Sequence, residues 1–130
     1  QGTTCATATA LSINGACDSG LISDATQDTP NISGCSPSNF RREGWYTFTV
    51  TGGPLNVTIT AEANNRNLFL QLISSSSSCS GLSQIDCANN IDTNGTQTET
   101  ITSILNNGIY YVKVFANNKV YVQSVFVTNN

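Results

Sequence analysis

Hydrophobic and polar residues alternate with a period of two along most of the chain. The clearest segment is 44–50, where Tyr46, Phe48 and Val50 fall on one face. Because side chains of a strand alternate between its two faces, this pattern predicts a half-buried strand. The apolar run 68–73 predicts a strand buried on both faces. The same spacing predicts further strands at residues 5–13, 21–26, 55–60, 85–88, 98–105, 109–115 and 120–127.

Turn-forming residues separate these segments at short, regular intervals. Gly52-Gly53-Pro54 and Asn106-Asn107-Gly108 are the strongest turn signals. No stretch has the 3.6-residue spacing of a convincing amphipathic helix. Eight or nine short strands with frequent turns predict an all-β fold, a jelly-roll-like antiparallel β-sandwich. The 130 residues suit a single domain that spans 1–130.

Composition excludes several classes of function. Charged residues make up 10% of the chain, against a typical share of about 25%, while Asn, Ser and Thr supply 48 of 130 residues. A net charge of −3 argues against nucleic-acid binding. The chain has no His, which excludes Ser-His-Asp and Cys-His catalysis and His-bound metals. No apolar run approaches the roughly 18 residues of a membrane span, so we predict no membrane insertion.

The carboxylates form no recognisable catalytic motif. A glycosidase needs two of them in one cleft, roughly 5–9.5 Å apart. Solvated turn residues account for nearly all of these side chains, and we predict that the protein is not an enzyme. They are Asp18, Asp24, Asp28, Glu43, Glu62, Asp86, Asp92 and Glu99.

Five cysteines indicate disulfides and an oxidising, secreted or cell-surface location. The C-x₂-C spacing of zinc sites is absent. Cys79 and Cys87 enclose seven residues, a loop that can close within the about 4.4–6.8 Å Cα separation of a disulfide, so we predict that they pair. An odd count leaves one thiol over. The start at Gln1, without Met, is typical of a processed mature protein.

Two further kinds of site are candidates. Asn31, Asn56 and Asn94 each begin an N-x-S/T sequon, and Asn94, in a predicted turn, is the leading candidate for a glycan. Chance sequons are the alternative in a chain this rich in Asn, Ser and Thr. Trp45, the sole Trp, could stack on a sugar ring with Tyr110, Tyr111 and Tyr121 as companions. Packing in a core or between the sheets is the alternative for Trp45.

The order of several motifs resembles that of a known family. An early Cys-Ala-x-Ala precedes the aromatic strand 44–49, and the segment 52–59 follows. A small cysteine loop spans residues 79–87, and the Tyr-Tyr strand 105–114 comes last. This arrangement resembles the bacterial pre-peptidase C-terminal domain, in the Cys-rich form of secreted and surface proteins, from Cys5 to about Val127. The resemblance implies a jelly-roll-like sandwich with a non-catalytic accessory role in attachment, adhesion or polymer binding.

The resemblance also bears on the other cysteines and on metals. It favours pairing of Cys5 with Cys35, which leaves Cys17 over, and Cys5 with Cys17 is the rival pairing. Some relatives bind calcium or collagen, and relatives usually place an acidic cluster after the small cysteine loop. Here that region is mostly neutral, so we predict no cofactor, with calcium as the alternative. Its oxygen ligands would be Asp86, Asn89, Asn90, Asp92 and Asn94.

Three functional hypotheses follow. The first is a non-catalytic secreted or cell-surface adhesion module. The second is a structural subunit of an extracellular filament, because sandwich edges expose unpaired backbone groups and few charges guard them here. In that case segment 5–13 or segment 120–128 would add as a strand to the next subunit. The third is a carbohydrate-binding module. The expected partners are copies of the chain or an extracellular polysaccharide or protein polymer.

Overall fold

A computed structural model describes residues 5–22, 42–64, 68–89, 96–116 and 121–129. A 3-10 helix over Cys5–Thr7 precedes nine strands in these residues. Two sheets face each other, with strand orders β1-β3-β8-β5-β6 and β2-β9-β4-β7. The strands are β1 (Thr9–Ala10), β2 (Asp18–Ile22), β3 (Arg42–Val50), β4 (Leu55–Asn64), β5 (Leu68–Ser74), β6 (Ser83–Asn89), β7 (Thr96–Leu105), β8 (Gly108–Ala116) and β9 (Tyr121–Asn129).

The strand order confirms the predicted jelly-roll sandwich. From β2 to β9 every connection passes from one sheet to the other, except the link from β5 to its neighbour β6. The resulting faces, β2-β9-β4-β7 against β3-β8-β5-β6, have the strand order of a jelly roll. All pairings among these eight strands are antiparallel. Strand β9 lies between β2 and β4, so it is an interior strand of its sheet.

The N-terminal segment differs from the single strand predicted over residues 5–13. After the 3-10 helix, only Thr9 and Ala10 pair with β3, and they run parallel to it. The chain then crosses to the second sheet, where Ile13 bridges Val127. In this segment small residues alternate with Thr, and this alternation predicted a strand. Because the segment lies at the edge of the sheet, its tertiary contacts, and not its own pattern, decide its local structure.

The main core lies between the two sheets. Inward-facing residues alternate along β3, β4 and β8 as the sequence pattern predicts, and Tyr110 stacks on Phe48 with ring centroids 5.6 Å apart. In β5 the consecutive residues 70–73 are all 0% exposed, which confirms a strand buried on both faces. Something therefore covers the outer face of the five-stranded sheet as well.

Two predicted turns lie side by side and are joined by a hydrogen bond. The backbone N–H of Gly53, in the turn from β3 to β4, donates to the Asn107 side-chain oxygen in the turn from β7 to β8, at 2.7 Å. A Cβ at Gly53 would stand 3.0 Å from that oxygen, so the close approach favours glycine. Both turns lie at one end of the sandwich, next to the start of β4.

Candidate functional site

A second, smaller hydrophobic cluster covers the outer face of the five-stranded sheet. Trp45, Ile73 and Tyr111 project from β3, β5 and β8, and Cys5 packs on them from the 3-10 helix. The Trp45 and Tyr111 rings meet edge to face at 6.3 Å. Ala8, Cys79 and Leu82 are packed around this cluster. We call the residues of this cluster the outer core.

A disulfide between Cys5 and Cys79 holds the outer core together, with the two Cα atoms 5.9 Å apart. The predicted pairing of Cys79 with Cys87 is therefore wrong, and so are both pairings considered for Cys5, with Cys35 and with Cys17. Cys87 is also disulfide-bonded, and Cys17 is exposed and keeps its thiol. Cys35 lies outside the described residues.

The short spacing between Cys79 and Cys87 led to the wrong pairing because half of the residues between them form an extended strand. From Ser83 to Cys87 the chain runs along β6, which spans about 13 Å at 3.3 Å per residue. The serine-rich loop before it folds back instead. There the Cys79 N–H donates to the Tyr111 hydroxyl at 3.2 Å, and the Ser76 N–H donates to the Ser80 carbonyl at 2.9 Å. The run of serines at 74–78 is thus part of a hydrogen-bonded turn.

Trp45 is 0% exposed, so it cannot stack on a sugar at the surface, and the predicted stacking role is wrong. Its alternative, packing in a core, is confirmed, and the core is the outer one and not the space between the two sheets. Its ring is also covered by the equally buried Lys113, whose Nζ lies 4.9 Å from the ring centroid. A desolvated cation over an indole contributes about 2 kcal/mol. Tyr110 and Tyr111 are buried as well. The side chain of Tyr121 is not among those that the structure describes.

The open side of the sandwich carries a groove of about 470 Å³. The N-terminal segment from Ala10 to Ile13 forms one wall, and β3 with the residue after it forms the other. We call this cavity the edge groove. Its volume falls within the roughly 300–1,000 Å³ typical of ligand sites. Its lining residues are Ala10, Leu11, Ser12, Ile13, Thr47, Phe48, Thr49, Thr51 and Leu55.

The wall of the edge groove that β3 forms carries backbone hydrogen-bonding groups that face the opening. The Leu11 N–H donates to the Thr47 carbonyl at 2.8 Å, so Thr47 turns its backbone groups toward the open edge. Because that direction alternates along a strand, Thr49 turns its own N–H and C=O to the same side. No described strand pairs with β3 on this side beyond Thr47. The buried side chains of Leu11 and Phe48 supply apolar surface beside this edge.

The predicted modification and calcium positions are only partly within the described residues. Asn56 is exposed on β4, which leaves its sequon open to a glycan, while Asn31 and Asn94 lie outside. Of the five proposed calcium ligands, Asn90, Asp92 and Asn94 also lie outside. The Asp86 carboxylate accepts the backbone N–H of Cys87 at 2.8 Å. In the described part of the chain, no three acidic, Cys or His side chains are grouped to hold a metal.

The three carboxylates whose side chains the structure describes lie on three different strands. Glu62 is on the outer face of β4, where it accepts a hydrogen bond from the Thr98 hydroxyl at 3.5 Å. Glu99 lies on β7, only 4% exposed, and Asp86 is exposed on β6. The remaining candidates have no described side chain. Helices capable of crossing a membrane do not occur in the described ranges.

Sequence analysis missed the edge groove and the Cys5–Cys79 pair. Both depend on where residues 5–13 lie on the sandwich, and a short segment of Ala, Thr and Ser carries no pairing signal beyond its own period. The alternation in 44–50 was nevertheless informative, since it placed Trp45 and Thr47 on the face opposite the main core. That face is the one that the outer core occupies.

Comparison with known proteins gives the same architecture. The family model of the bacterial pre-peptidase C-terminal domain matches residues 42–116, which span β3 to β8. The pre-peptidase C-terminal domain of a collagenase from Bacillus anthracis superposes with a TM-score of 0.57 at 13% identity, covering 92% of this chain and 93% of that one. CorA, a surface-associated copper-binding protein of Methylomicrobium album BG8, superposes with a TM-score of 0.60 at 9% identity, covering 95% and 98%. No curated protein matches the chain in sequence.

Proposed function

Because the chain belongs to the bacterial pre-peptidase C-terminal domain family, we propose that it is a non-catalytic attachment module of an extracellular protein. The edge groove is the observation that carries this proposal. It combines backbone groups of Thr49 that face the opening, apolar surface from Leu11 and Phe48, and hydroxyl side chains on both walls. An extended polypeptide fits this chemistry, because it can hydrogen-bond to a strand edge while alternate side chains enter the groove.

Two further observations support an extracellular role. The Cys5–Cys79 disulfide and the disulfide-bonded Cys87 suit an oxidising compartment. A low content of charged residues and a surface rich in Thr, Ser and Asn suit a secreted protein. Since the similar domain from Bacillus anthracis belongs to a collagenase, denatured collagen, whose chains are free to extend, is the first protein polymer to test.

The experiment measures binding isotherms of the purified protein on immobilised denatured collagen and on cellulose. Thr49→Pro removes the N–H that faces the groove and is expected to weaken collagen binding about fivefold or more. Thr49→Ala is the matched control, because it keeps the backbone donor and removes only the hydroxyl. Equal binding by the wild type and Thr49→Pro would show that the groove is not used. Absence of saturable binding to collagen would contradict the choice of polymer.

Binding to cellulose alone would favour the carbohydrate-binding alternative. The aromatic residue expected to stack on the sugar in that alternative, Trp45, is buried. The copper binding of CorA gives no comparable lead. The chain contains neither His nor Met, the imidazole and thioether ligands on which protein copper sites commonly depend.

The filament hypothesis remains a second candidate, favoured by one observation. The segment that crosses the open side of the sandwich is attached to β3 through two register pairs and to Val127 through a bridge and one backbone hydrogen bond, from Asn14 at 2.8 Å. Cys5 of this segment is also crosslinked to Cys79, so the segment could exchange with that of a neighbouring subunit only if this disulfide forms between the two subunits. Because β9 is an interior strand, the N-terminal segment is the better donor.

Electron microscopy of the purified protein tests this candidate. Deletion of residues 1–13, combined with Cys79→Ser so that no unpaired thiol is created, is expected to abolish filaments. Cys17→Ser is the control that alters a cysteine without touching the segment. Filaments that persist in the deletion variant would argue against strand exchange, and dispersed wild-type particles would argue against assembly altogether.

A further inference from the structure

Among the described strands, the two sheets end in four edge strands, and three of these have features that hinder pairing with another chain. Strand β1 has two residues, and β2 has five and contains Gly20. Strand β6 has seven residues, a register shift against β5 and the exposed carboxylate of Asp86. Short length, irregularity and charge are the usual protections of sheet edges.

Strand β7 has almost none of these protections. It runs for ten residues, and its register with β4 is unbroken from Leu105 to Thr96. It contains no Pro, Gly, Lys or Arg. Its single charged residue, Glu99, is 4% exposed and so leaves the outer surface of the strand uncharged. Within the described ranges, no strand lies beyond β7 in its sheet.

The exposed surface of β7 is also uncharged. Thr98, Thr100, Thr102 and Ile104 alternate on its outer face and are all exposed, Ile104 at 74%. On the neighbouring strand, the Thr58 hydroxyl lies 3.1 Å from that of Thr102, so hydroxyl pairs already cross this sheet. Cross-strand pairs of threonines stabilise antiparallel sheets.

We propose that β7 pairs with β7 of a second copy of this chain, antiparallel and about a two-fold axis, to join the two four-stranded sheets into one sheet of eight strands. The backbone donors and acceptors of the edge can pair with another extended strand, and an antiparallel copy is self-complementary. This association involves the opposite side of the sandwich from the edge groove, and it is independent of the attachment role.

The side-chain pattern selects one register. A two-fold axis through a residue keeps outward side chains opposite outward ones, whereas a shift of one residue would expose the core face. Centring on Thr100 retains nine pairs, from 96 to 104, and centring on Ile101 retains as many, but only the axis on Thr100 places all three exposed threonines opposite threonines. It places Thr100 opposite itself and Thr98 opposite Thr102 of the second copy. It also places each Glu99 opposite Ile101, so the two carboxylates do not face one another.

Sedimentation velocity over a concentration series tests the proposal. Thr100→Lys and Thr100→Glu each place like charges directly opposite one another and are expected to weaken the dimer about fivefold or more. An equimolar mixture of the two variants pairs opposite charges and should restore dimers. Thr60→Lys is the matched control, because it lies beside Thr100 on β4, on the same face but one strand further from the axis.

Several results would overturn the proposal. A wild-type protein that stays monomeric up to about 1 mM would do so. So would a Thr100→Lys variant that dimerises as well as Thr60→Lys, because the association would then use another surface. Open-ended polymers would also contradict it, since a two-fold contact closes after two subunits. Failure of the mixed variants to form heterodimers would exclude the register centred on Thr100.

Discussion

Removal of the Cys5–Cys79 disulfide should destabilise the protein strongly. The double variant Cys5→Ser/Cys79→Ser releases a crosslink between residues 74 positions apart. In the chain-entropy treatment, a loop of that length corresponds to about 4.4 kcal/mol at 25 °C. The second disulfide, at Cys87, already restricts the unfolded chain and reduces this figure. We therefore expect a loss of about 3–4 kcal/mol, equivalent to a fall of roughly 10–15 °C in Tm.

The structure supplies a specific optical reporter for this change. Trp45 is the only Trp and lies fully buried in the outer core, directly under the crosslinked segments. Urea titration followed by its fluorescence gives the free energy of unfolding. Acrylamide quenching under native conditions shows whether the 3-10 helix has lifted from the sheet. We expect the double variant to be more easily quenched even where the sandwich remains folded.

The matched control is Cys17→Ser, which alters an exposed thiol outside any disulfide and should change stability by less than about 0.5 kcal/mol. A loss below about 1 kcal/mol in the double variant would refute the reasoning. It would mean that the crosslink does not restrict the unfolded chain as supposed, or that Cys5 and Cys79 are not paired. Peptide mapping without reduction separates these two explanations.

Three further measurements test the main contacts. Trp45→Ala should cost about 3–5 kcal/mol in urea unfolding, because a large fully buried side chain is lost, and a cost below 1 kcal/mol would contradict its burial. Burial raises the pKa of Tyr110 above its usual value of 10.0, so the unfolded chain loses this proton first and stability falls as pH rises through and above 10. Tyr110→Phe should flatten that fall while losing the 2.7 Å hydrogen bond to the Asn106 carbonyl, and an unchanged pH profile would exclude Tyr110 as its source. Asn107→Ala removes the acceptor for the Gly53 N–H and should lower the free energy of unfolding by about 0.5–1.5 kcal/mol, measured by thermal unfolding. An unchanged Tm would contradict this prediction and show that water fully replaces the lost side-chain oxygen.

The sequence alone determined the class of fold and most of the strands, but not the structure of residues 5–13. Period-two alternation is a local property, because neighbouring side chains of any strand face opposite sides, and it located β3, β4 and β8 with their inward residues. Gly52-Gly53-Pro54 and Asn106-Asn107-Gly108 marked real turns for an equally local reason, the backbone conformations that these residues favour.

The tertiary structure decided which surfaces are covered and which stay open. Alternation puts Trp45 on the face opposite Tyr46 but cannot tell whether that face meets solvent or a second layer. Here the segment that begins at Cys5 and the loop at Cys79 fold over it, although the two lie 74 positions apart. The same long-range placement of the N-terminal segment creates the edge groove, and the strand order leaves β7 at an edge. Contacts between distant segments depend on the whole packing of the sandwich, and no local pattern encodes them.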